Sequence, residues 1–342
     1  MSGPTITPMP PNLPLSSLRT IDIQALRDDS PAEKARLLTA AKEEGFFYLD
    51  FSNLTEFENF KGVIDGVYEL EQALFGLTTE EKLEFDVDAF GPMKLNGYKP
   101  IGRNLGGVGG KRDGFESWAI PKDGVLSIGK APFPRPAVLD ARMGLLDAFM
   151  KYMQTFTSTM HSALSDTLGI EGDKRLELFH RNEHSSPCIL RLLKYHEQPA
   201  AERGAAQTPH TDLGSLTVLF TAQPGLQTLP YGGAPDDWTF VAPKPNCAIV
   251  NVGDSLSMMT GGKLTSSLHR VGPLPGHAMA TRYSFAYLQR PEEHTIFQVP
   301  GSIEEVTSGE WVRRKFGMLR KNTYAHDKQW ILTGRHQEVI AP

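Results

Sequence analysis

The chain has 342 residues, of which 40% are hydrophobic and 22% are charged. A chain of this length and balance can bury a large core, which excludes wholesale disorder. The formal net charge of −5 argues against nucleic acid as the main partner, because phosphate binding needs an excess of Lys and Arg.

The first half of the chain is predicted to be mainly helical. Residues 1–18 are rich in Pro, Ser and Thr, which is typical of an extended arm. A helix is predicted to begin at Ser30, where Ser-Pro-Ala-Glu forms a capping box, and to end before Gly45. The other elements predicted in this half are strands at 20–23 and 46–49 and helices at 54–76 and 137–168.

Residues 90–136 differ from their surroundings, because they hold many of the glycines and prolines. Irregular segments of this length in compact domains are usually functional loops or lids. We therefore expect a long loop here that covers a site.

After residue 185 short β-rich runs alternate with turns that contain Gly, Pro and Asn. Eight such runs at this spacing predict an all-β sandwich or barrel. The predicted strands lie at 188–196, 215–222, 225–229, 238–242, 247–252, 264–271, 281–289 and 294–299. A last helix is predicted over 309–321, so the order is helices first and then a double-sheet core.

A candidate metal site lies in the β region. His210 and Asp212 stand where a strand run begins, and residues i and i+2 of an extended backbone share a face. One imidazole and one carboxylate on the same face are two of the three ligands in the facial arrangement used for non-haem Fe(II). His269, in another predicted strand, is the candidate for the third ligand, although a strand histidine taken alone is more often structural.

A second candidate site is formed by Arg282 and Ser284, which also share a strand face. A guanidinium beside a hydroxyl can hold a carboxylate through charge-assisted hydrogen bonds. The alternative is a salt bridge at the mouth of a barrel. The two-residue period of a strand places Leu288 on the same inward face, where it could line a pocket.

Several segments in this order resemble the isopenicillin-N-synthase-like Fe(II)/2-oxoglutarate dioxygenases. The most specific is the run His210-Thr211-Asp212-Leu213-Gly214-Ser215-Leu216-Thr217, which is similar to the metal-ligand segment of that family. The others are 21–23, 44–48, 224–227 with Trp238, 251–254, 267–271 and 282–284. The resemblance covers roughly residues 20 to 300. The occurrence of all these segments together, in the order of the family, excludes a chance match.

The resemblance implies an α+β, mainly β fold whose core is a double-stranded β-helix, or jelly roll. It places an N-terminal helical region before that core and a helix after it. The parts expected to pack as one globular unit are an arm (1–18), a helical region with the long loop (19–184), the jelly-roll core (185–300) and a C-terminal helix and tail (301–342).

The resemblance also implies a role for each candidate site residue. The iron ligands would be His210, Asp212 and His269. The residues at the 2-oxoglutarate co-substrate would be Arg282 and Ser284, on its distal carboxylate, and Tyr195. The substrate pocket would include Tyr98 and Phe115 by family position and Leu288 by strand face. No catalytic residue is expected beyond the metal centre.

The reaction implied by the resemblance consumes 2-oxoglutarate and O₂ at Fe(II). An Fe(IV)-oxo species then abstracts a hydrogen from a small-molecule substrate, which leads to hydroxylation, desaturation or ring rearrangement. The apolar and aromatic residues of 90–136 favour a mostly apolar substrate, such as a polyketide, terpenoid or peptide-derived secondary metabolite.

Two other functions are compatible with the same fold. One is an Fe(II) oxidase that does not consume 2-oxoglutarate, like isopenicillin N synthase or the ethylene-forming oxidases. These enzymes share the Arg-x-Ser pair, so only the reaction stoichiometry separates them. The other is a non-catalytic jelly-roll binding protein, which metal content would test. Demethylation of DNA or RNA is disfavoured by the charge and by the lack of a basic stripe.

The expected location is the cytosol. No apolar run approaches the roughly 18 residues of a membrane span, and residues 1–4 do not resemble the start of a secretory signal. Two cysteines exclude a disulfide framework and a multi-cysteine zinc site, which fits a reducing compartment.

Overall fold

The computed structural model of the chain describes residues 4–104, 112–129, 132–197, 207–230, 232–234, 236–272, 274–275, 280–299 and 303–320. Its strands are β1 (Thr20–Asp22), β2 (Phe46–Asp50), β3 (Gly97–Lys99), β4 (Phe115–Pro121), β5 (Ile189–Tyr195), β6 (Gln207–His210), β7 (Leu216–Thr221), β8 (Leu226–Thr228), β9 (Thr239–Phe240), β10 (Cys247–Val252), β11 (His269–Val271), β12 (Arg282–Gln289), β13 (Ile296–Gln298) and β14 (Glu305–Thr307). Its α-helices are α1 (Ile23–Arg27), α2 (Pro31–Glu43), α3 (Phe57–Phe75), α4 (Thr79–Leu83), α5 (Lys122–Val125), α6 (Ala137–Asp140), α7 (Met143–Leu168), α8 (Asp254–Met259) and α9 (Ser308–Arg320).

The helices predicted from Ser30 to before Gly45 and over 54–76 are confirmed, with small shifts of their ends, as α2 and α3. Helix α2 begins after Ser30, whose side chain accepts a hydrogen bond from the Glu33 amide, as the capping box predicts. The region predicted as one helix over 137–168 is α6 followed by α7. Helix α7 ends at Gly169, whose φ of 66° is the left-handed conformation that glycine adopts readily.

Two sheets build the predicted jelly roll. The main sheet has the strand order β1-β2-β10-β7-β12-β5-β4-β3, and the smaller sheet has the order β6-β11-β8-β9. Inward side chains of both sheets meet in one apolar cluster, which includes Phe46 and Tyr195 from the main sheet and Leu226 and Val271 from the smaller one. The space between these two sheets is called the barrel interior below.

The opposite face of the main sheet packs against helices. Phe220 and Phe285 on this face stack with ring centroids 5.0 Å apart, and both belong to the large core that α3 and α7 complete. Residues on one strand therefore alternate between the helical core and the barrel interior, as the two-residue period of a strand requires. No helix among the described ranges has the length and apolar character needed to cross a bilayer.

The expectation of one long irregular loop over 90–136 is only partly right. This segment supplies β3, which is an edge strand of the main sheet, and the seven-residue strand β4, which pairs with β3 and β5. Residues 105–111 and 130–131 of the predicted loop lie outside the described residues. Strands β1 to β4 are half of the main sheet, so the expected boundary at 184/185 does not separate helices from sheet.

The C-terminal helix is confirmed as α9. Trp311 and Phe316 on this helix pack against Phe297 of β13 and Val306 of β14 in a separate apolar cluster. That cluster also contains Leu213, so α9 and the β13–β14 ribbon lie under the loop that follows His210.

Candidate metal centre

The two histidines of the candidate site come from neighbouring strands of the smaller sheet. His210 is the last residue of β6 and His269 is the first residue of β11. The two residues are direct partners in the antiparallel register, and their ring centroids lie 4.4 Å apart. Strand pairing therefore brings together two imidazoles that are far apart in the sequence.

Asp212 joins the histidines in a way that differs from the prediction. Strand β6 ends at His210, so Asp212 lies in the loop before β7 rather than on the same strand face. The amide of Asp254 donates to the Asp212 carbonyl at 2.7 Å and fixes the loop against α8. A Cβ at Gly214 would lie 2.2 Å from the Gln289 carbonyl oxygen, so only glycine allows the loop to pass this close to β12.

The donor atoms of the three residues converge on one point. Asp212 Oδ1 lies 3.7 Å from His210 Nε2 and 3.8 Å from His269 Nε2, and all three donor atoms lie within 4.8 Å of one another. These separations exceed hydrogen-bond distance. Each residue is only 8–9% exposed. Two imidazoles and one carboxylate arranged in this way fit a divalent iron, and they leave further coordination positions open.

Hydrogen bonds from the surrounding residues hold the ligands in orientation. Asp212 Oδ2 accepts from Thr217 Oγ1 at 2.6 Å and from Asn251 Nδ2 at 2.9 Å, which turns Oδ1 towards the histidines. His269 Nδ1 lies 3.2 Å from the Ser267 carbonyl and donates to it, so Nε2 is available to a metal. Burial alone would raise the pKa of Asp212. The two imidazoles and the two hydrogen bonds outweigh that effect and hold the pKa well below its usual range.

Replacing Asn251 with alanine is expected to weaken metal binding by about 10- to 100-fold, because one Asp212 oxygen loses its amide donor. The measurement is the affinity for Fe(II) and for Mn(II) under anaerobic conditions. Asn53→Ala is the control, since the Asn53 amide binds an exposed carboxylate far from the site in sequence. Equal metal affinity in the Asn251→Ala and wild-type proteins would contradict this orienting role.

A buried lysine of α9 also supports the loop that carries Asp212. Lys315 is 1% exposed, donates from Nζ to Thr211 Oγ1 at 2.7 Å and forms an ion pair with Asp254. Helix α9 thus contacts Thr211, the residue between His210 and Asp212. Lys315 follows the exposed residues Arg313 and Arg314, and nothing in this basic run of the sequence marks Lys315 as different, so its role could not be predicted.

Arg282, Ser284 and Tyr195 lie together on the main sheet. Arg282 is 3% exposed and donates to Ser284 Oγ at 3.0 Å and to Thr221 Oγ1 at 3.1 Å. Its guanidinium carbon lies 5.0 Å from the centre of the Tyr195 ring. None of the described carboxylates forms an ion pair with Arg282, so the alternative of a salt bridge at the barrel mouth is not observed in this part of the chain. Burial lowers the pKa of Arg282, but a guanidinium remains charged at neutral pH.

The three candidate pocket residues are in different environments. The Phe115 ring lies in the barrel interior, 5.3 Å from the Tyr195 ring. Leu288 pairs across the main sheet with Thr217, the residue that donates to Asp212. Tyr98 belongs to the helical core instead, where its hydroxyl donates to Glu116 at 2.7 Å. The prediction for Tyr98 is therefore wrong, because its strand position faces away from the barrel interior.

Three comparisons show what the chain is similar to. Residues 184–291 match the family model described as the 2OG-Fe(II) oxygenase superfamily. The 2-oxoglutarate-dependent dioxygenase gloE of Glarea lozoyensis is 31% identical, over 94% of this chain and 94% of its own length. The 2-oxoglutarate-dependent dioxygenase frbH of Dothideomycetidae sp. is 31% identical, over 93% and 95%. The crystal structure of Neurospora crassa T7H in complex with alpha-KG has the same fold, with a TM-score of 0.72, 23% identity and coverage of 88% and 95%.

Proposed function

The chain belongs to the 2OG-Fe(II) oxygenase superfamily and is a 2-oxoglutarate-dependent dioxygenase, and on that premise we propose that His210, Asp212 and His269 hold its iron. The observation that carries the proposal is the convergence of three buried donor atoms within 4.8 Å of one another. The second oxygen of Asp212 and Nδ1 of His269 are already engaged by neighbouring groups. The atoms that remain are the ones a facial iron site needs.

The same proposal assigns the distal carboxylate of 2-oxoglutarate to Arg282 and Ser284, beside the ring of Tyr195. A buried guanidinium without a described carboxylate partner is costly unless an anion joins it. Arg282 donates only to neutral oxygens in the described residues. The fork of a guanidinium is suited to binding a carboxylate in two places, which fixes the direction of the co-substrate.

When bound, iron and 2-oxoglutarate supply the O₂-dependent oxidation, and the protein supplies orientation and a dry site. Arg282 fixes one end of the co-substrate, while Asn251 and Thr217 keep Asp212 pointing inward. Two residues are proposed to limit the space beside the site: Phe115, whose ring lies 5.3 Å from the Tyr195 ring, and Leu288, which pairs with Thr217. We propose that the reaction is hydroxylation, desaturation or ring rearrangement of a small secondary metabolite. The apolar lining of the barrel interior supports a small organic substrate.

We also propose that the substrate is a free small molecule rather than nucleic acid, because the formal net charge of −5 would repel a phosphate backbone. A cytosolic location stays a prediction from the low number of cysteines.

The test of the proposed function is an anaerobic titration of the Fe(II)-loaded protein with 2-oxoglutarate. A weak visible charge-transfer band that saturates is expected in the wild type and absent in Asp212→Ala. Asp147→Ala is the matched control, since that carboxylate pairs with Lys151 on the exposed side of α7. A wild-type protein with bound iron and no such band would contradict the proposal and favour an oxidase that does not use 2-oxoglutarate.

A further inference from the structure

Strand β5 places a second arginine in the barrel interior. Leu193 and Tyr195 of this strand point into the interior, whereas Leu190 and Leu192 belong to the helical core. Arg191 is two residues before Leu193, so the period of a strand directs it inward as well.

The neighbours of Arg191 leave room for its side chain. In the register of the main sheet Arg191 pairs with Ala286 of β12 on one side and with Ala119 of β4 on the other. Both neighbours are small. The guanidinium therefore has space to extend into the barrel interior rather than being covered by larger side chains.

The guanidinium of Arg191 has an unpaired buried atom in the part of the chain that the structure describes. Its Nε is buried and makes no hydrogen bond, and no described carboxylate forms an ion pair with it. Two lysines of this part of the sheet do have anionic partners, since Lys99 pairs with Asp113 at 2.6 Å and Lys194 pairs with Glu116 at 3.4 Å.

The position of Arg191 is also electrostatically linked to the metal site. Burial lowers the pKa of Arg191, while the charge of Asp212 and the phenol of Tyr195 act in the opposite direction. The register agrees with this link, because Arg191 pairs with Ala286 of β12. Ala286 lies between Ser284 of the proposed co-substrate anchor and Leu288, which pairs with Thr217 beside Asp212. A buried donor without an acceptor, such as Arg191 Nε, is costly, and an anion that enters the interior would offset that cost.

We infer that Arg191 binds a carboxylate of the substrate, so that the enzyme acts on an organic acid. The inference rests on the proposed function, because it assumes that Arg282 already holds 2-oxoglutarate. Arg282 pairs with Tyr195, four residues further along β5 than Arg191. At about 3.3 Å per residue these two backbone positions lie roughly 13 Å apart, farther than a five-carbon diacid extends. Two inward arginines whose backbones lie this far apart can each receive a separate anionic group.

The apolar surroundings define the rest of the substrate class. Phe115 and Leu193 on the main sheet face Leu226 and Val271 on the smaller sheet across the interior. Lys99 lies with its ammonium 3.7 Å from the centre of the Phe115 ring, but Asp113 neutralises it. A molecule with an apolar body and one carboxylate matches this combination of one unpaired cation and apolar walls.

The experiment uses a matched pair of probes, 2-naphthoate and its neutral methyl ester, with the full chain loaded with Mn(II) and 2-oxoglutarate. Calorimetric titration is expected to show the acid binding at least about 10-fold more tightly than the ester in the wild type. Arg191→Gln is expected to lower the affinity for the acid about 10-fold or more. The affinities for the ester and for 2-oxoglutarate are expected to stay unchanged. Arg191→Lys keeps the charge and is expected to recover part of the affinity for the acid.

Arg36→Gln is the control variant, because Arg36 is an exposed arginine that pairs with Glu33 on α2. Equal binding of acid and ester to the wild type would overturn the inference, and this readout does not depend on how any variant folds. The inference would also be overturned if Arg191→Gln lowered the affinity for 2-oxoglutarate and not the affinity for 2-naphthoate. Arg191 would then bind the co-substrate. Failure of 2-oxoglutarate to bind the wild type is a different result, because it would contradict the proposed function itself.

Discussion

Replacing His269 with alanine is expected to abolish the Fe(II)-dependent conversion of 2-oxoglutarate to succinate. The imidazole of His269 is one of three donors, and Asp212 Oδ1 lies 3.8 Å from its Nε2. Losing a donor outright should cost more than the roughly 10- to 100-fold that loss of an outer hydrogen bond costs. We expect a decrease of more than about 1,000-fold in turnover, together with loss of bound iron.

The two measurements are succinate formation and iron content after anaerobic loading and desalting. His184→Ala is the matched control, because His184 is a half-exposed histidine that lies 3.2 Å from Glu292. His269 also packs edge-on against the Phe46 ring, with centroids 5.5 Å apart, so a thermal melt must show that His269→Ala is folded. A folded His269→Ala protein that retains iron and turnover would remove this residue from the ligand set.

The parts of the site that could be predicted from the sequence are those governed by local rules. His210, Asp212 and His269 are predicted as iron ligands because the residue types suit a metal and the order of segments matches a family, and the structure brings their donor atoms together. The three donor atoms do not converge because His210 and Asp212 share a strand face, as the sequence predicts. Asp212 reaches the histidines through a loop after β6. That loop depends on contacts with α8 and β12, which are distant in the sequence and leave no local pattern.

The error at Tyr98 shows how strand register limits such predictions. Tyr98 pairs with Trp118, whereas the inward residue Phe115 pairs with Tyr195. A shift of one residue along a strand moves a side chain to the opposite face of a sheet. The glycine- and proline-rich segment around β3 and β4 gives no alternating pattern that would fix this choice, so the face of each residue became known only from the pairing.

Arg191 and Asn251 were missed for a related reason. Arg191 shares a mainly apolar strand with one other charged residue, Lys194, and Asn251 follows a run of apolar residues in β10. Either residue could be a satisfied polar group. Their roles follow from what surrounds them: the Asn251 amide lies 2.9 Å from Asp212 Oδ2, and Arg191 has only small neighbours on the adjacent strands. Such facts depend on pairings between strands that are remote in the sequence.

Replacing Arg282 with alanine is expected to weaken 2-oxoglutarate binding by about 100-fold or more while leaving Fe(II) affinity within about 3-fold of the wild type. Removing one member of a buried charge pair typically costs about 2–5 kcal/mol, and each 1.4 kcal/mol is a factor of about ten. The iron affinity should not change, because Arg282 contacts Ser284 and Thr221 rather than the proposed iron ligands. The measurements are the 2-oxoglutarate dependence of succinate formation and a separate anaerobic Fe(II) titration.

Arg282→Lys separates the charge from the geometry of the guanidinium. A lysine keeps the positive charge but lacks the planar fork, so we expect its 2-oxoglutarate affinity to lie between those of the wild type and Arg282→Ala. Arg313→Ala is the control, because Arg313 is half-exposed and pairs loosely with Glu293 at 3.6 Å. If Arg282→Ala lowered the affinities for Fe(II) and 2-oxoglutarate equally, Arg282 would be supporting the metal site as a whole, and another cation would have to receive the co-substrate. Arg191 would then be the first residue to test, because it is the other inward guanidinium without a described carboxylate partner.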